Sequence, residues 1–402
     1  MNRRGFLGAQ TAGTTFAAKK VRSVVSAFVF FLCAAALAAT DTVFNVREFG
    51  AAGDGVTADS AAVQKALDAA AKCSGTVWFP AGTYRVHDLR VASGVMLKGD
   101  PKWIYRSNLA GAVLQLDSKE AKCCIDISQA FGARIVGLLL NGDVPMTGRM
   151  AEREDDDWGL PAHRVHGILM DHGGKMSPYE DCPVIENTKV QNFSGDGLRL
   201  WGCWCMTIRH SQFAFNGGNG VTHRGYDGFV SDNQFSGNLG SGFSSALGSS
   251  TVAFTANRVE CNHAYGLKVA SWDGGKGLQG TTWNVTGCNF DCNHKAGLYF
   301  EDVIQSTVAG NVFHRSGEAQ IVLEGCKGVT VIGNTSKATR TRFAKDAFVP
   351  AVGMVLTNLS SCIVRDNVFW RGYRERLLED RGGHSAETII RDNIGTSAEG
   401  VK

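Results

Sequence analysis

The stretch CNHAYGLKVA at residues 261–270 returns as CNHKAGLYFE at residues 292–301. Two interpretations are open for such a near-repeat: a cysteine and histidine metal site that occurs twice, or one turn of a coiled chain that occurs twice. The choice decides the fold, because only a repeating coil would extend the pattern beyond these two copies.

Six further segments align with this pair at a short apolar run that usually follows a glycine. The aligned segments are HGILMD (166–171), DGLRLW (196–201), NGVTHR (219–224), SGFSSA (241–246), YGLKVA (265–270), AGLYFE (296–301), AQIVLE (319–324) and VGMVLT (352–357). Between residues 197 and 320 the period is mostly 22–24 residues, with one step of 31. Asparagine forms a second column at positions 233, 257, 289, 311, 334, 367 and 393. The pattern therefore predicts a solenoid.

Each repeat contains three short stretches of alternating apolar and polar residues, such as STVAFTA at 250–256, which favours strands over helices. In a parallel β-helix each strand pairs with its equivalent one rung away, about 4.8 Å distant. We expect the asparagine to occupy the tight turn between two strands, where left-handed backbone angles are needed, and its amide to bond the amides of adjacent rungs. The sequence thus predicts an all-β coil of about ten rungs.

The repeated cysteine and histidine are therefore predicted to be equivalents of one turn, and no metal ligands are assigned to them. Cys261 shares a column with Cys292, and His263 shares a column with His294. Neighbouring rungs bring the two cysteine Cα atoms within disulfide range, so a bridge and a stack of free thiols both remain open.

The composition is that of a globular protein with many tight turns. The 402 residues include 49 glycines and 7 prolines, and the formal net charge is only +3. This charge gives no support to a nucleic-acid partner or to a general membrane-surface function. The eleven cysteines after Cys33 lack paired CxxC spacings, which is typical neither of a disulfide scaffold nor of a zinc module.

Residues 1–40 are predicted to be an export signal segment. Basic residues at 19, 20 and 22 precede the apolar run VVSAFVFFLCAAALAA, and Ala36-Leu37-Ala38 offers a cleavage site of the small-residue type. No stable membrane span is expected once the segment is removed. The mature chain, residues 41–402, is therefore predicted to be secreted or periplasmic.

The segment FNVREFGAAGDGVTADSAAVQKALDAAAKCSGTVWFPAGTYRV at 44–86 predicts a cap for the coil. Apolar residues at 63, 66, 67 and 70 fall on one face of a helix, and Thr57 or Asp59 is expected to cap its N-terminus. An amphipathic helix suits this place because a stack of strands has open hydrophobic ends. Residues 41–100 are accordingly assigned to the cap and the first rungs.

This segment, together with the repeats, resembles the pectate-lyase-like superfamily of single-stranded right-handed parallel β-helix proteins. The superfamily includes polygalacturonase-related glycosidases, pectate-lyase-type enzymes, tailspike depolymerases and some epimerases. The resemblance covers about residues 45–395 and implies a right-handed β-helix that acts on polysaccharides.

The resemblance does not specify the reaction, because the polygalacturonase catalytic pattern is incomplete. Asn187-Thr188-Lys189 stands where Asn-Thr-Asp would be expected, and the Gly-His-Gly and Arg-Ile-Lys motifs are missing. No catalytic residue is therefore carried over from that family.

The resemblance also implies that substrate lies along the strand that follows the glycine column. Side chains alternate along a strand, so the second and fourth residues after the glycine are expected to face outwards, and His223 is expected to be a core histidine. Aromatic rings suit the apolar faces of sugars, and basic residues suit an acidic sugar such as a uronate. The substrate-binding candidates on this ribbon and its loops are Asp171, Arg199, Trp201, Arg224, Asp227, Tyr299 and Trp272.

Two reactions fit the carboxylates and the lysine of this ribbon. Hydrolysis needs one protonated carboxyl as acid and a second carboxylate that activates water or attacks the sugar. β-Elimination on a uronate needs a base at C5 and a cation beside the carboxylate, for which Lys268 or Arg224 with Tyr299 can serve. The catalytic candidates are Glu301, Asp302, Glu324, Asp273 and Lys268.

An acidic insertion at residues 143–165 is expected to form a loop beside the ribbon. The three aspartates at 155–157 offer ligands for a calcium ion, and Trp158 and His163 offer substrate contacts, although a solvated loop is the simpler interpretation. No other cofactor is expected.

The sequence thus predicts an exported, single-domain parallel β-helix whose partner is a polysaccharide, such as one of a cell wall, with an acidic sugar as one option. Glycoside hydrolysis by paired carboxylates is the first hypothesis. Polysaccharide lyase activity is the second, and epimerisation and non-catalytic carbohydrate binding are the remaining alternatives. The sugar, the stereochemical outcome and the oligomeric state stay undetermined.

Overall fold

A computed structural model describes residues 42–100, 102–105, 111–144, 160–246, 248–270, 279–337, 352–373 and 376–397. The predicted export signal lies outside these residues, as do positions 155–158 of the insertion. The described chain contains 37 strands, which are numbered here in chain order, and their pairings are parallel. They stack on three faces, which confirms the predicted all-β parallel β-helix.

The first face carries the strands that follow the glycine column, and its outer side is called the groove face. Its strands are β5 (Leu89–Arg90), β8 (Cys123–Asp126), β11 (His166–Asp171), β14 (Leu198–Trp204), β17 (Val221–Ser231), β19 (Phe243–Ala246), β22 (Leu267–Ala270), β25 (Ala296–Glu301), β29 (Ala319–Glu324), β32 (Val352–Thr357) and β35 (Arg376–Asp380).

The second face is continuous with the first, because β17 bends across the corner and pairs on both. Its other strands are β1 (Val43–Asn45), β3 (Thr76–Phe79), β6 (Met96–Gly99), β9 (Arg134–Val136), β12 (Val184–Glu186), β15 (Thr207–Arg209), β20 (Ser250–Thr255), β23 (Gly280–Thr286), β26 (Val303–Ile304), β27 (Thr307–Ala309), β30 (Thr330–Ile332), β33 (Ile363–Arg365) and β36 (Ile389–Arg391).

The third face is a separate sheet of thirteen strands within the described chain, so the coil is longer than the predicted ten or so rungs. Its strands are β2 (Asp54–Ala58), β4 (Gly82–Val86), β7 (Ala112–Leu116), β10 (Leu139–Asn141), β13 (Lys189–Gln191), β16 (Gln212–Ala214), β18 (Gln234–Ser236), β21 (Arg258–Glu260), β24 (Asn289–Asp291), β28 (Val312–His314), β31 (Thr335–Lys337), β34 (Val368–Tyr373) and β37 (Ile394–Ser397).

The predicted cap is present as helix α1 (Ser60–Ala71), which follows a 3₁₀ helix at Val46–Phe49. The four apolar residues expected on one face of α1 are its buried residues. The expected side-chain cap is wrong. Asp59 stands at the N-cap, but its buried carboxylate accepts from the N–H groups of Ala52 and Gly53 at 2.7 and 3.2 Å. Neither described helix is long and apolar enough to cross a membrane.

The interior is filled by the inward half of each alternating strand, as predicted. Phenylalanines stack along the coil axis, with ring centroids 5.7 Å apart for Phe213 and Phe235 and 4.8 Å apart for Phe290 and Phe313. His223 is fully buried among them and its Nδ1 lies 3.0 Å from the Ser245 hydroxyl, which confirms the predicted core histidine. Burial lowers the pKa of His223 to about 3, so the ring is neutral at ordinary pH.

Asparagine amides form the predicted ladders, but not for the predicted backbone reason. Asn311 donates to Asn334, and Asn334 donates to Asn367, each at 2.9 Å. The left-handed backbone angle belongs to the residue before each asparagine, for example Asp366 at φ 55°. The asparagine instead bonds backbone groups of neighbouring rungs that would otherwise be buried without partners.

Asn289 is a wrong member of the predicted column. It lies exposed on β24, and the buried ladder position of its rung is held by Cys288. The Cys288 N–H still donates to the Oδ1 of Asn311 at 2.9 Å, so the rung keeps its backbone bond.

The glycine column results from close packing between rungs. A Cβ at Gly266 would lie 2.4 Å from the carbonyl oxygen of Gly297 and 2.9 Å from the Asn293 amide nitrogen. A side chain at this position would therefore force the rungs apart. The glycine column thus fixes where each groove-face strand begins, and with it the register of the outward side chains.

Candidate functional site

The register of the groove face agrees with the alignment of the repeats. Lys268 on β22 is the direct partner of Tyr299 on β25, which pairs with Val322 on β29. Two residues further along, Glu301 pairs with Glu324. Four of the predicted site residues, Lys268, Tyr299, Glu301 and Glu324, thus lie on three consecutive rungs and are called the C-terminal cluster.

Four other predicted residues form a separate N-terminal cluster on rungs β11, β14 and β17: Asp171, Arg199, Trp201 and Arg224. Asp171 is five rungs from Glu301, or about 24 Å at about 4.8 Å a rung. Asp171 therefore does not pair with the carboxylates of the C-terminal cluster, and the two clusters would contact different parts of a long ligand.

The C-terminal cluster is held together by the Tyr299 hydroxyl. This hydroxyl donates to Oε2 of Glu324 at 2.7 Å, and Oε1 of Glu324 lies 3.9 Å from Nη1 of Arg381. Arg381 also donates to Glu379 at 2.7 Å. Glu324 therefore faces a hydroxyl donor on one oxygen and a guanidinium on the other.

A cavity of about 550 Å³ opens beside this cluster on the outer side of β25, β29, β32 and β35. Its floor contains the apolar side chains of Val322, Val352 and Val355. Sugar sites commonly combine such an apolar surface with a few polar groups at the edge. The lining residues are Tyr265, Tyr299, Gly317, Glu318, Ala319, Val322, Glu324, Val352, Val355, Glu379 and Arg381.

Tyr265 is a site residue that the sequence reasoning missed. Its ring lies 4.7 Å from that of Tyr299, and the ammonium groups of Lys268 and Lys295 lie 5.7 and 5.6 Å from its centroid. Tyr265 is the residue before the glycine of its repeat, where the other aligned groove-face segments have no aromatic residue except His166. The tyrosine at this position of the repeat was therefore the signal in the sequence that could have identified Tyr265 as a site residue.

Glu318, Glu379 and Arg381 were also missed, for a different reason. Glu318 precedes β29 and Arg381 follows β35, so both lie in turns where strand alternation predicts nothing. Glu379 does lie in the outward column, as the partner of Val355, but its segment RLLED lacks the glycine by which the repeats were aligned.

The environment shifts the pKa values of the lysine and the tyrosines in opposite directions. Burial lowers the pKa of Lys268, and Lys295 adds to this, while Glu301 acts against it. Burial and the hydrogen bond to Glu324 raise the pKa of Tyr299. Burial and the nearby glutamates raise the pKa of Tyr265 to about 12. Lys268 is therefore shifted towards its neutral form, and the tyrosines keep their protons.

The remaining acidic candidates do not join this arrangement. Asp302 is exposed at the corner after β25, with φ 51°. Asp227 was expected in a loop but lies within β17, exposed at a corner with φ 55°. Trp272 and Asp273 lie outside the described residues.

In the N-terminal cluster, guanidinium groups cover Trp201. The Arg199 and Arg224 guanidinium carbons lie 4.8 and 5.6 Å from the Trp201 ring centroid. Arg224 also donates to the Gly174 carbonyl at 3.0 Å, and Asp171 accepts from the Gly174 N–H at 2.9 Å. This cluster therefore presents positive charge to a ligand, and a sugar ring would have to displace a guanidinium in order to stack on Trp201.

The repeated cysteine and histidine turn is a stack. The rings of His263 and His294 lie parallel at 4.3 Å, and Cys261 and Cys292 are free thiols. Within the described chain no three histidine, cysteine, aspartate or glutamate side chains converge as metal ligands would. His163 in the insertion lies with Nε2 at 2.7 Å from the Ala121 carbonyl oxygen, which fixes the loop to the coil.

Family models agree with this architecture. A model described as the right handed beta helix region matches residues 162–277 and 275–400. The chain belongs to the right-handed β-helix family. A second model, described as rhamnogalacturonase A/epimerase, pectate lyase-like, matches residues 43–118, the cap and first rungs. The resemblance to the pectate-lyase-like superfamily is thereby confirmed.

Three curated relatives share part of the chain. Mannuronan C5-epimerase AlgE4 of Azotobacter vinelandii is 30% identical over 194 residues, which cover 47% of this chain and 32% of the epimerase. Plasmin and fibronectin-binding protein A of Streptococcus pneumoniae is 33% identical over 193 residues, 43% of this chain and 24% of that protein. Alginate lyase 7 of Azotobacter vinelandii is 41% identical over 75 residues, 18% of this chain and 9% of the lyase.

Solved structures of other proteins also superpose on this chain. The streptococcal adhesin PfbA superposes with a TM-score of 0.61 at 14% identity, covering 89% of this chain and 92% of the adhesin. The AlgE4 A-module superposes with a TM-score of 0.53 at 18% identity, covering 89% of this chain and 100% of the module. At these identities the superpositions show the shared right-handed β-helix fold. The alignments with the curated relatives span a third of their length or less.

Proposed function

We propose that this protein modifies a uronate-containing polysaccharide by removing the proton at C5 of a uronate residue, with Lys268 as base and Tyr299 as acid. The observation that carries the proposal is the direct pairing of Lys268 with Tyr299, whose pKa values are shifted in opposite directions. Two neighbouring titratable groups displaced in this way are suited to the base and acid roles of one reaction.

The chemistry needs a group that is neutral at working pH to accept the C5 proton. Lys268 is partly buried, and burial makes a lysine lose its proton more readily, so a larger fraction of Lys268 is neutral than of an exposed lysine. Tyr299 retains its proton and can donate it. Donation to the glycosidic oxygen completes β-elimination, whereas donation to the other face of C5 completes epimerisation. Both reactions share the same first step.

Charge along the groove face supports an anionic ligand on the N-terminal side of the cluster. Arg199, Arg224 and Lys268 occupy outward positions on β14, β17 and β22. Asp171 on β11 is the one carboxylate of the N-terminal cluster, whereas Glu301 follows one rung after Lys268 and further carboxylates surround the cavity. A polyuronate would therefore bind over the basic rungs and reach the C-terminal cluster at Lys268.

Mannuronan C5-epimerases and an alginate lyase are among the relatives, and both names imply chemistry on a uronate polymer. Their similarity is consistent with the proposed first step. Removal of the C5 proton therefore replaces the expectation of hydrolysis as the first hypothesis.

Hydrolysis remains the second candidate because Glu301 and Glu324 are direct partners on adjacent rungs. Tyr299 and Arg381 contact the two oxygens of Glu324, so one carboxyl of the pair is already engaged within the cluster. The separation of the two carboxyl groups would then decide between retention and inversion.

The assay incubates the protein with polymannuronate, polygalacturonate and a neutral glucan in D₂O. Lyase activity gives the ultraviolet absorbance of unsaturated ends, and epimerase activity gives deuterium at C5 by NMR. New reducing ends without either signal would identify a hydrolase, and binding without chemical change would identify a carbohydrate-binding protein. Either of these last two outcomes rejects the proposal.

Variants assign the roles. Lys268→Ala and Tyr299→Phe should each lower turnover of the polyuronate about 100-fold or more, because each removes one proton-transfer group. Lys327→Ala is the matched control, because this exposed lysine pairs through its backbone with Ile304 on the second face and does not belong to the C-terminal cluster. Activity should rise with pH as Lys268 loses its proton and fall again as Tyr299 ionises. Loss of activity in Glu301→Gln with Lys268→Ala fully active would instead favour hydrolysis.

A further inference from the structure

A second concave surface lies at the corner where β14 ends. It encloses about 410 Å³ and is lined by Phe131, Pro178, Tyr179, Glu180 and Trp204, which are called the aromatic corner. None of these residues belongs to either cluster on the groove face. The sequence reasoning also assigned no function to them.

Two of the three rings of the aromatic corner are exposed, and the third, Trp204, is partly buried. Phe131 is 37% exposed and Tyr179 is 66% exposed, and their rings meet edge to face at 5.8 Å. Trp204 packs at 5.6 Å against Tyr226, its partner on β17. Exposed apolar surface of this kind usually marks a place where a ligand or partner covers it.

Buried polar contacts hold the segment that carries Tyr179 and Glu180 in place. The fully buried carboxylate of Asp181 accepts from the Ser177 hydroxyl and from the Trp204 backbone N–H, each at 3.0 Å. Nε2 of His172 lies 3.1 Å from Oδ1 of the same carboxylate, the oxygen that also accepts from Ser177. The rings are therefore pre-positioned, and a ligand would not have to order this segment on binding.

The aromatic corner continues the groove face. Trp204 and Trp201 lie on the same strand, and Tyr226 follows Arg224 on β17. The corner is three rungs from Lys268, about 14 Å at about 4.8 Å a rung, before the offset along the strand is added. One polysaccharide can therefore reach both the C-terminal cluster and the corner.

The chemistry of the lining selects the ligand. Aromatic faces bind the C–H faces of sugar rings, and Glu180 offers acceptor oxygens to hydroxyl groups. Glu180 is the one charged residue of the described lining, and a uronate carboxylate would be repelled by it. The corner therefore suits an uncharged sugar residue, whereas the arginines on the groove face suit an anionic one.

We propose that the aromatic corner is a binding subsite for an uncharged sugar residue of the same polysaccharide whose uronate reacts at Lys268 and Tyr299. This inference rests on the proposed function for the identity of the polymer, which would then contain both neutral sugars and uronates. The binding of a neutral sugar at the corner does not depend on the reaction.

The test is calorimetric binding to the full chain carrying Lys268→Ala, so that no turnover occurs. The probes are the neutral hexasaccharides of β-1,4-glucose, β-1,4-mannose and β-1,4-galactose, together with a hexagalacturonate. Tyr179→Ala and Phe131→Ala each remove one exposed ring and should raise the Kd of a bound neutral probe about two- to ten-fold. Phe229→Ala is the control, because Phe229 is 64% exposed on β17 but does not line the corner.

Binding of at least one neutral probe that is weakened by both corner variants and unchanged in the control supports the proposal. It is overturned if no neutral probe binds, if the corner variants bind neutral probes like the parent, or if hexagalacturonate is weakened equally. It is also overturned if sedimentation shows that the corner holds two copies of the chain together and the variants separate them. Neutral-probe binding that needs Tyr179, in a protein without C5 chemistry, would keep the subsite and reject the proposed reaction.

Discussion

Replacement of Asn311 by alanine tests the asparagine ladder, which lies at the corner between the second face and the third. Asn311 is 1% exposed, and its side chain makes three hydrogen bonds of 2.9 Å: to the Val285 carbonyl, to Asn334 and from the Cys288 N–H. The two bonds that the amide donates contribute about 1 kcal/mol net each, and the buried Cys288 N–H left without its partner costs about 1–3 kcal/mol. Asn311→Ala should therefore lower the free energy of unfolding by about 3–5 kcal/mol.

The measurement is equilibrium unfolding in urea, followed by circular dichroism. The matched control is Asn289→Ala, because the sequence places Asn289 in the same column but the structure exposes it on β24. The control should change the free energy of unfolding by less than about 0.5 kcal/mol. Equal losses in the two variants, or a loss below about 1 kcal/mol in Asn311→Ala, would refute the ladder as a source of stability.

Three further predictions concern buried polar positions. Cys288→Asn restores the ladder amide in a rung that lacks it, so the free energy of unfolding should rise by about 1 kcal/mol. A lower urea midpoint than that of the parent would contradict this. Lys189 is fully buried and its ammonium donates to the carbonyls of Ile104 and Tyr105 at 2.7 and 2.9 Å. Lys189→Met should therefore cost about 2–3 kcal/mol by the same unfolding measurement, and an unchanged midpoint would show that this anchor is dispensable. The pKa of His223 is lowered from 6.5 to about 3, so the folded chain binds fewer protons than the unfolded chain between these values and stability should fall as pH falls through them. Unfolding of His223→Phe should be less pH-dependent over this window, and parallel pH profiles would exclude His223 as the cause.

Much of the fold could be predicted because repetition makes register visible. The alignment placed Lys268 opposite Tyr299 and Glu301 opposite Glu324, and both pairings are present. The alignment was wrong at Asn289, because Cys288 occupies the buried ladder position of that rung and the neighbouring asparagine was aligned with the column instead.

The candidate site was predicted in part. Alternation identifies outward residues within a strand, but it gives no direction for turn residues such as Glu318 and Arg381, which complete the cavity. Alternation also gives no contacts, so the bond from Tyr299 to Glu324 and the guanidinium cover on Trp201 were not expected.

The sequence by itself determined that the chain coils, where each rung begins and which side chains share the groove face. These follow from a period in glycine and asparagine, whose small size and amide bonding act only between chain segments one rung apart. The tertiary structure alone decided which outward side chains meet around one cavity and which are separated by several rungs. The physical reason is that pKa values, ion pairs and cavities depend on distances across turns, and the lengths and paths of those turns do not repeat.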